Sequence, residues 1–249
     1  MRIAALYDIH GNLPALEAVM AEVREAGVDR VVVGGDVLPG PMPRETLAYL
    51  QDLELPVSFL RGNGDRAVLE TLRGVASTAL PEAVQGLVRW TVGELGAEHE
   101  QLLASWPPRL ELEVTGLGTV LFCHATPRSD TEIFTRLTPE ERLRPIFAGV
   151  AAPLVICGHT HMPFDRQVGV TRVVNAGSVG MPFGHRGASW LLLGPEVEPR
   201  RTAYDGELAA ERVRATSYPQ AAEFAATNIL EPPSEEAMLE RLGAAELQG

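Results

Sequence analysis

Short apolar runs, several rich in β-branched residues, alternate through the first half of the chain with stretches whose apolar positions recur every three or four residues. Residues 3–7, 31–33 and 57–60 read as buried strands. Leu13, Leu16, Val19, Met20 and Val23 mark one helical face, and Asn12 with Pro14 signals its start. Further helix is expected over residues 45–53, from about residue 66, and as a long stretch over 81–106. This is the alternation of βαβ units. After Pro107 the pattern turns to paired strands, 110–114 and 119–122, joined by Thr115-Gly116-Leu117-Gly118 as a hairpin. Helix over 139–147 and strands over 154–157, 166–170, 172–175, 188–193 and 197–204 follow, so the second half is expected to be mostly antiparallel. From Glu207 the chain turns helical again, with breaks near Pro219 and at Pro232 and Pro233. Two packed sheets with helices outside accommodate both halves around one core. The expected division is a domain over 1–205 and a helical extension over 206–249 packed on it.

Polar residues fall where the strands end. The run 3–7 leads into Asp8-Ile9-His10-Gly11-Asn12, and 31–33 into Gly34-Gly35-Asp36. The run 57–60 leads into Gly62-Asn63-Gly64-Asp65, 120–123 into His124, and 154–157 into Gly158-His159-Thr160-His161. Asp8 and His10 are two apart, as are His159 and His161, and in extended backbone that spacing sends both side chains to one face. Glycines beside them let the chain turn sharply. Imidazoles and carboxylates crowded together without a lysine or arginine among them call for divalent cations. Oxygen and nitrogen donors without thiolate suit Mn, Fe, Zn, Co or Ni and do not choose among them.

Charge supports the same picture. Asp and Glu outnumber Lys and Arg by 33 to 21, for a net charge of −12, and no basic run is present. Duplex nucleic acid is therefore a poor partner, and an anionic substrate would need bound cations to reverse the local sign. The two cysteines, Cys123 and Cys157, each end an apolar run and read as buried core thiols. The early Asp8 argues against a signal peptide and no apolar stretch approaches membrane-spanning length, so a cytoplasmic protein without a membrane partner is expected.

The motifs D-x-H-G-N, G-D, G-N-x-D, an isolated H and G-H-T-H, in this order, resemble the calcineurin-like metallophosphoesterase family, especially its small bacterial and archaeal branch. The resemblance covers residues 1 to about 193. It implies a four-layer α/β/β/α sandwich, an α/β fold of two mixed sheets flanked by helices. It also implies two divalent ions, with manganese favoured. By position, Asp8, His10 and His161 would hold one ion, Asn63, His124 and His159 the other, and Asp36 would bridge them. Such a pair, ~4 Å apart, allows in-line attack by hydroxide with no protein nucleophile. The absence of a G-x-S-x-G elbow, a Walker loop and a C-x-x-C motif agrees with this.

The chain departs from the family pattern at one position. Many members carry G-N-H-[DE], whose histidine serves the leaving oxygen or the phosphate, whereas Gly64 stands here and cannot donate a proton. A preference for good leaving groups follows, as in aryl phosphodiesters or nucleotide anhydrides. His185 either replaces the missing acid or sits on a loop; Arg66, Arg128 and Arg186 are candidate phosphate contacts. Asp65 either caps the following helix or orients a neighbour, Asn12 reads as a helix cap, and His99 as a surface residue. The expected function is a phosphodiesterase acting on a small phosphate ester or nucleotide, with a nucleotide pyrophosphatase and a non-catalytic scaffold of the same fold as alternatives. Apolar helices outside the motif core leave a homo-oligomer open.

Overall fold

The computed structural model describes residues 1–75 and 80–247. The first half builds β1 (Ile3–Leu6), α1 (Leu13–Ala26), β2 (Arg30–Val33), α2 (Pro43–Gln51), β3 (Val57–Phe59), α3 (Asn63–Leu72), α4 (Glu82–Glu94) and α5 (Ala97–Ser105). The second half adds β4 (Arg109–Val114), β5 (Gly118–Cys123), α6 (Glu140–Phe147), β6 (Leu154–Cys157), β7 (Phe164–Val168), β8 (Thr171–Asn175), β9 (Ala188–Leu193) and β10 (Val197–Thr202). Helices α7 (Gly206–Arg214) and α8 (Ala221–Phe224), a π-helical segment (Ala225–Leu230) and α9 (Glu235–Gly243) close the described chain. Of the extension expected over 206–249, residues 248 and 249 lie outside the described residues.

Two five-stranded sheets result, in the orders β10-β9-β1-β2-β3 and β4-β5-β6-β8-β7. Strands β1, β2 and β3 are parallel, as βαβ connections require. The two sheets face one another: Ile3, Ala5 and Tyr7 of the first meet Val120, Phe122 and Ile156 of the second in one apolar cluster. The alternate residues Ala4 and Leu6 point outward into a cluster with α1 and its neighbours. On the far side, Leu121, Val155 and Val173 pack against Leu143, Ile146 and Phe147 of α6. Every residue of β1 is buried because helices cover one face and the other sheet covers the second. The architecture is the expected α/β/β/α sandwich.

Several boundaries differ from the pattern reading. The stretch 81–106 is two helices, because the chain turns to extended backbone at Leu95 and Gly96. The second sheet is parallel at its centre, β5-β6-β8, and antiparallel only at its edges. Strands β9 and β10 instead complete the first sheet, with β9 antiparallel to β1. The end of the chain packs on the outer cluster of that sheet through Ala209, Val213, Phe224 and Ile229, and Arg212 bonds Glu17 of α1 at 2.5 Å. Among the described residues, no helix is long and apolar enough to cross a membrane.

Candidate metal centre

The ligand-type residues come from both sheets. Asp8, Asp36 and Asn63 follow β1, β2 and β3, while His124 and His159 follow β5 and β6. Two parallel strand sets ending on the same side bring these loops together. Asp8 and His10 do not meet through extended backbone: both lie in the left-handed region, at φ 54 and 47, as do His159 and His161 at 67 and 59. Asp36 joins them at φ 51. Of the six described non-glycine residues with positive φ, five are therefore ligand candidates, the sixth being Leu247. Such backbone costs of order 1–3 kcal/mol per residue and concentrates at functional sites.

The left-handed turns point the side chains at one another. Asp8 Oδ1 lies 3.4 Å from His161 Nε2, 3.8 Å from His124 Nε2 and 4.0 Å from His10 Nε2. Asp36 faces both halves of the group, with Oδ2 3.8 Å from His10 Nε2 and Oδ1 3.5 Å from His124 Nε2. Two triads thus have ligand atoms close enough for one ion each: Asp8, His10 and His161, and Asp8, Asp36 and His124. The Asn63 carboxamide lies 3.1 Å from His124 Nε2 and, with its amide reversed, 3.0 Å from His159 Nδ1.

Each imidazole is held by a backbone carbonyl on its other nitrogen. His10 Nδ1 meets Pro39 O at 3.2 Å, His124 Nδ1 meets Gly34 O at 3.0 Å, and His161 Nδ1 meets Met181 O at 2.8 Å. His159 is reversed, with Nε2 3.2 Å from Thr131 O. A carbonyl only accepts, so the nitrogen facing it carries a proton and the other nitrogen is the one left to present a lone pair to a cation. His10 and His161 then aim two lone pairs at each other across 3.3 Å, which is repulsive without a cation or a further proton between them.

Electrostatics shows the same need. Burial disfavours charge on Asp36, yet His124 and His10 hold its carboxyl well below the usual range. Burial also opposes charge on His124, but the Asp36 and Asp8 carboxylates overcome it and push the imidazole up to about 10. Burial and then the His124 charge take His159 down to about 4. One proton on His124 is thus what a cation would displace. Asp8 Oδ1 is buried without a hydrogen-bond partner, a costly state that a bound cation removes. The donor set therefore fits divalent cations held by oxygen and nitrogen.

The remaining candidates fall elsewhere. Asp65 is fully buried and accepts hydrogen bonds from the backbone amides of Asp36 at 2.8 Å, Leu38 at 3.0 Å and Gly62 at 3.0 Å. It caps α3 and fixes the Asp36 loop; burial and the Asp36 charge push it up to about 7. Arg66 is paired with Asp130 at 2.7 Å and Arg128 with Glu132, on a groove that also reaches His124. His185 is not brought to the cluster: its ring bonds Arg186 O at 3.1 Å and Ser189 Oγ at 3.2 Å. Arg186 lines a separate cavity with Tyr204 and Ile229. Asn12 caps α1 through Ala15 and also donates to Gly180 O. His99 is buried rather than on the surface, because its ring accepts from Gly96 at the start of α5. Cys123 and Cys157 are free, buried thiols as expected.

Two further features adjoin the cluster. Ser178 donates to Asp8 O at 2.7 Å, and Asn175 to Gly158 O at 2.6 Å, so the Asn175-Ala176-Gly177-Ser178 turn braces two ligand loops. A cavity of about 400 Å³ also opens beside the cluster, walled partly by the C-terminal helices. No motif marks it, since its wall residues are scattered over several elements.

Residues 1–196 match the calcineurin-like phosphoesterase superfamily domain. The chain is similar to an uncharacterised protein of Methanocaldococcus jannaschii, 28% identical over 243 residues that cover 88% of this chain and 94% of the relative. It is also similar to the phosphodiesterase YfcE of Escherichia coli, 29% identical over 198 residues, or 79% of this chain and 89% of that one. Among solved structures, a metallophosphoesterase from Sphaerobacter thermophilus superposes with a TM-score of 0.71 at 28% identity, covering 92% and 99% of the two chains.

Proposed function

Since the chain belongs to the calcineurin-like phosphoesterase superfamily, we propose that it is a phosphodiesterase working with two divalent transition-metal ions, manganese being the first to test. The observation that carries this reading is the convergence of the His10, His124 and His161 rings on the buried carboxylates of Asp8 and Asp36, with five of the seven candidate ligands on backbone held in the left-handed region. A scaffold that only kept the fold would have no use for that strain. Asp8, His10 and His161 would hold one ion and Asn63, His124 and His159 the other, with Asp36 shared through its two oxygens. Bound there, the pair would supply an activated water and neutralise the phosphoryl oxygens.

The chain's own part is positioning. The carbonyls of Gly34, Pro39, Thr131 and Met181 fix the tautomers, and Asp65 fixes the loop that carries Asp36. No side chain extends from Gly64 to donate a proton to the departing oxygen, which favours leaving groups that depart as stable anions. The similarity to the YfcE phosphodiesterase supports diesters over monoesters.

The test is hydrolysis of bis-p-nitrophenyl phosphate by manganese-loaded protein beside Asp36→Ala and His124→Ala. Each variant is expected to lose at least the ~10–100-fold that outer-shell supports alone cost, and to bind fewer ions by elemental analysis. Equal activity in all three proteins would sink the proposal.

A further inference from the structure

The cavity beside the metal centre is continuous with His10, Asp36 and Asn63 at one end and reaches Asn228 of the π-helical segment at the other. Its volume, about 400 Å³, falls within the ~300–1,000 Å³ of small-molecule sites. Val84 and Val88 of α4 form one wall, and Tyr218, Phe224 and Met238 of the C-terminal segment form another. Gly64 also lines it, so that position adds no side-chain bulk at the entrance.

Polar residues interrupt this apolar lining on the C-terminal segment, where Gln220, Glu223, Thr227 and Arg241 reach solvent and Asn228 is the buried one. Asn228 is 8% exposed, and its carboxamide makes one long contact within the protein, 3.4 Å to the neighbouring Thr227 hydroxyl. Its remaining hydrogen-bonding capacity faces the cavity, where water or a ligand would complete it. It sits in a π-helical segment, closed by Glu231 N donating to Ala226 O at 2.8 Å, and such segments are rare and recur at functional sites.

We propose that this cavity is the specificity pocket of the phosphodiesterase proposed above. Its occupant is one ester arm of the substrate: a planar, mainly apolar ring with a hydrogen-bonding edge, the chemistry of a nucleobase, read by Asn228. The inference rests on the phosphodiesterase reading. The lining argues for a ring over an alkyl chain because an aliphatic arm would leave the Asn228 amide unpaired, whereas an edge with a donor and an acceptor satisfies it. The C-terminal helices, outside the matched family domain, thereby select the substrate.

Three diesters sharing a p-nitrophenolate leaving group test this on the manganese-loaded full chain, with methyl, phenyl or thymidine 5′ as the retained arm. The expected kcat/KM rises from methyl to phenyl by on the order of tenfold or more, from ring burial, and rises again to thymidine. Asn228→Ala is expected to cost the thymidine ester about tenfold, chiefly in KM, and to leave the phenyl ester within about twofold. Thr227→Trp, at an exposed position lining the cavity, is expected to abolish the preference for both rings over the methyl ester. Calorimetric binding of phenylphosphonate against methylphosphonate, neither of which turns over, is expected to show the same preference and the same loss. Equal constants for the three esters in active enzyme overturn the inference, as does a decyl ester preferred over both rings. Failure of every ester, together with no metal-dependent phosphonate binding, overturns instead the phosphodiesterase reading on which it stands.

Discussion

A protonated His124 links ion uptake to pH. Its folded value of about 10 lies above the ordinary histidine value of 6.5, so its contribution to the metal-free fold is fully present below 6.5 and is lost as pH rises through about 10. An ion on Nε2 must displace that proton. Calorimetric titration with manganese in buffers of different ionisation enthalpy is expected to show about one proton released per protein near neutral pH. Apparent affinity should rise about tenfold per pH unit toward 10; a flat profile would rule out this coupling. Gly64 sets a second expectation. A Cβ there would meet the Leu38 carbonyl oxygen, with Pro39 Cδ at 3.0 Å and Asp36 Oδ1 at 3.1 Å. Gly64→Ala should therefore lower stability by about 1–3 kcal/mol in denaturant titration. Gly64→His should gain none of the ~10²–10⁴-fold that a positioned acid supplies on alkyl esters. The identity of the candidate ligands was legible because each is a polar residue at the end of an apolar strand. Their conformation was not: the spacing of Asp8 and His10 fits a pleat, and the left-handed turns that actually aim them depend on partners such as Gly35 O and Asp36 O.

At the level of elements, Asp65 is the staple between the β2–α2 loop and the start of α3. Asp65→Ala strands the buried amides of Asp36, Leu38 and Gly62, and a loss of about 3 kcal/mol or more is expected, since each orphaned donor costs ~1–3 kcal/mol. Equilibrium unfolding of the metal-free variant measures it; a change below about 1 kcal/mol would contradict the staple. The sequence offered Asp65 as a cap of the following helix, but its contacts to Asp36 and Leu38 span the chain and leave no local signature. The same limit explains the misread elements. Period and turn residues marked where β9 and β10 run, yet joining the first sheet was a matter of long-range pairing, with Ile3 opposite Leu193. His99 looked polar and exposed in its helix because nothing in its neighbours reveals the Gly96 amide that it accepts.

At the scale of the molecule, the centre ties two sheets together, with Asp8 and Asp36 from one and His124, His159 and His161 beside the other. Ions bound there belong to the folded state alone, so saturation at 100 times Kd should add ~2.7 kcal/mol and raise the midpoint of thermal unfolding by about 5–11 °C. Scanning calorimetry with manganese and then with a chelator measures this; coincident transitions would count against tight sites. The pattern made two packed sheets with outer helices readable, since strands covered on both faces are continuous apolar runs, and the four-layer order followed from the family resemblance. The cavity was not readable, being assembled from α3, α4 and the chain's end.

Five bent positions under the candidate ligands also constrain anyone who wishes to transplant the centre. Copying Asp8, His10, Asp36, His159 and His161 onto a scaffold whose loops run extended would scatter them, however well the side chains were chosen. What must be grafted is the trace of the polypeptide itself, with the carbonyls that steer each ring travelling along with it.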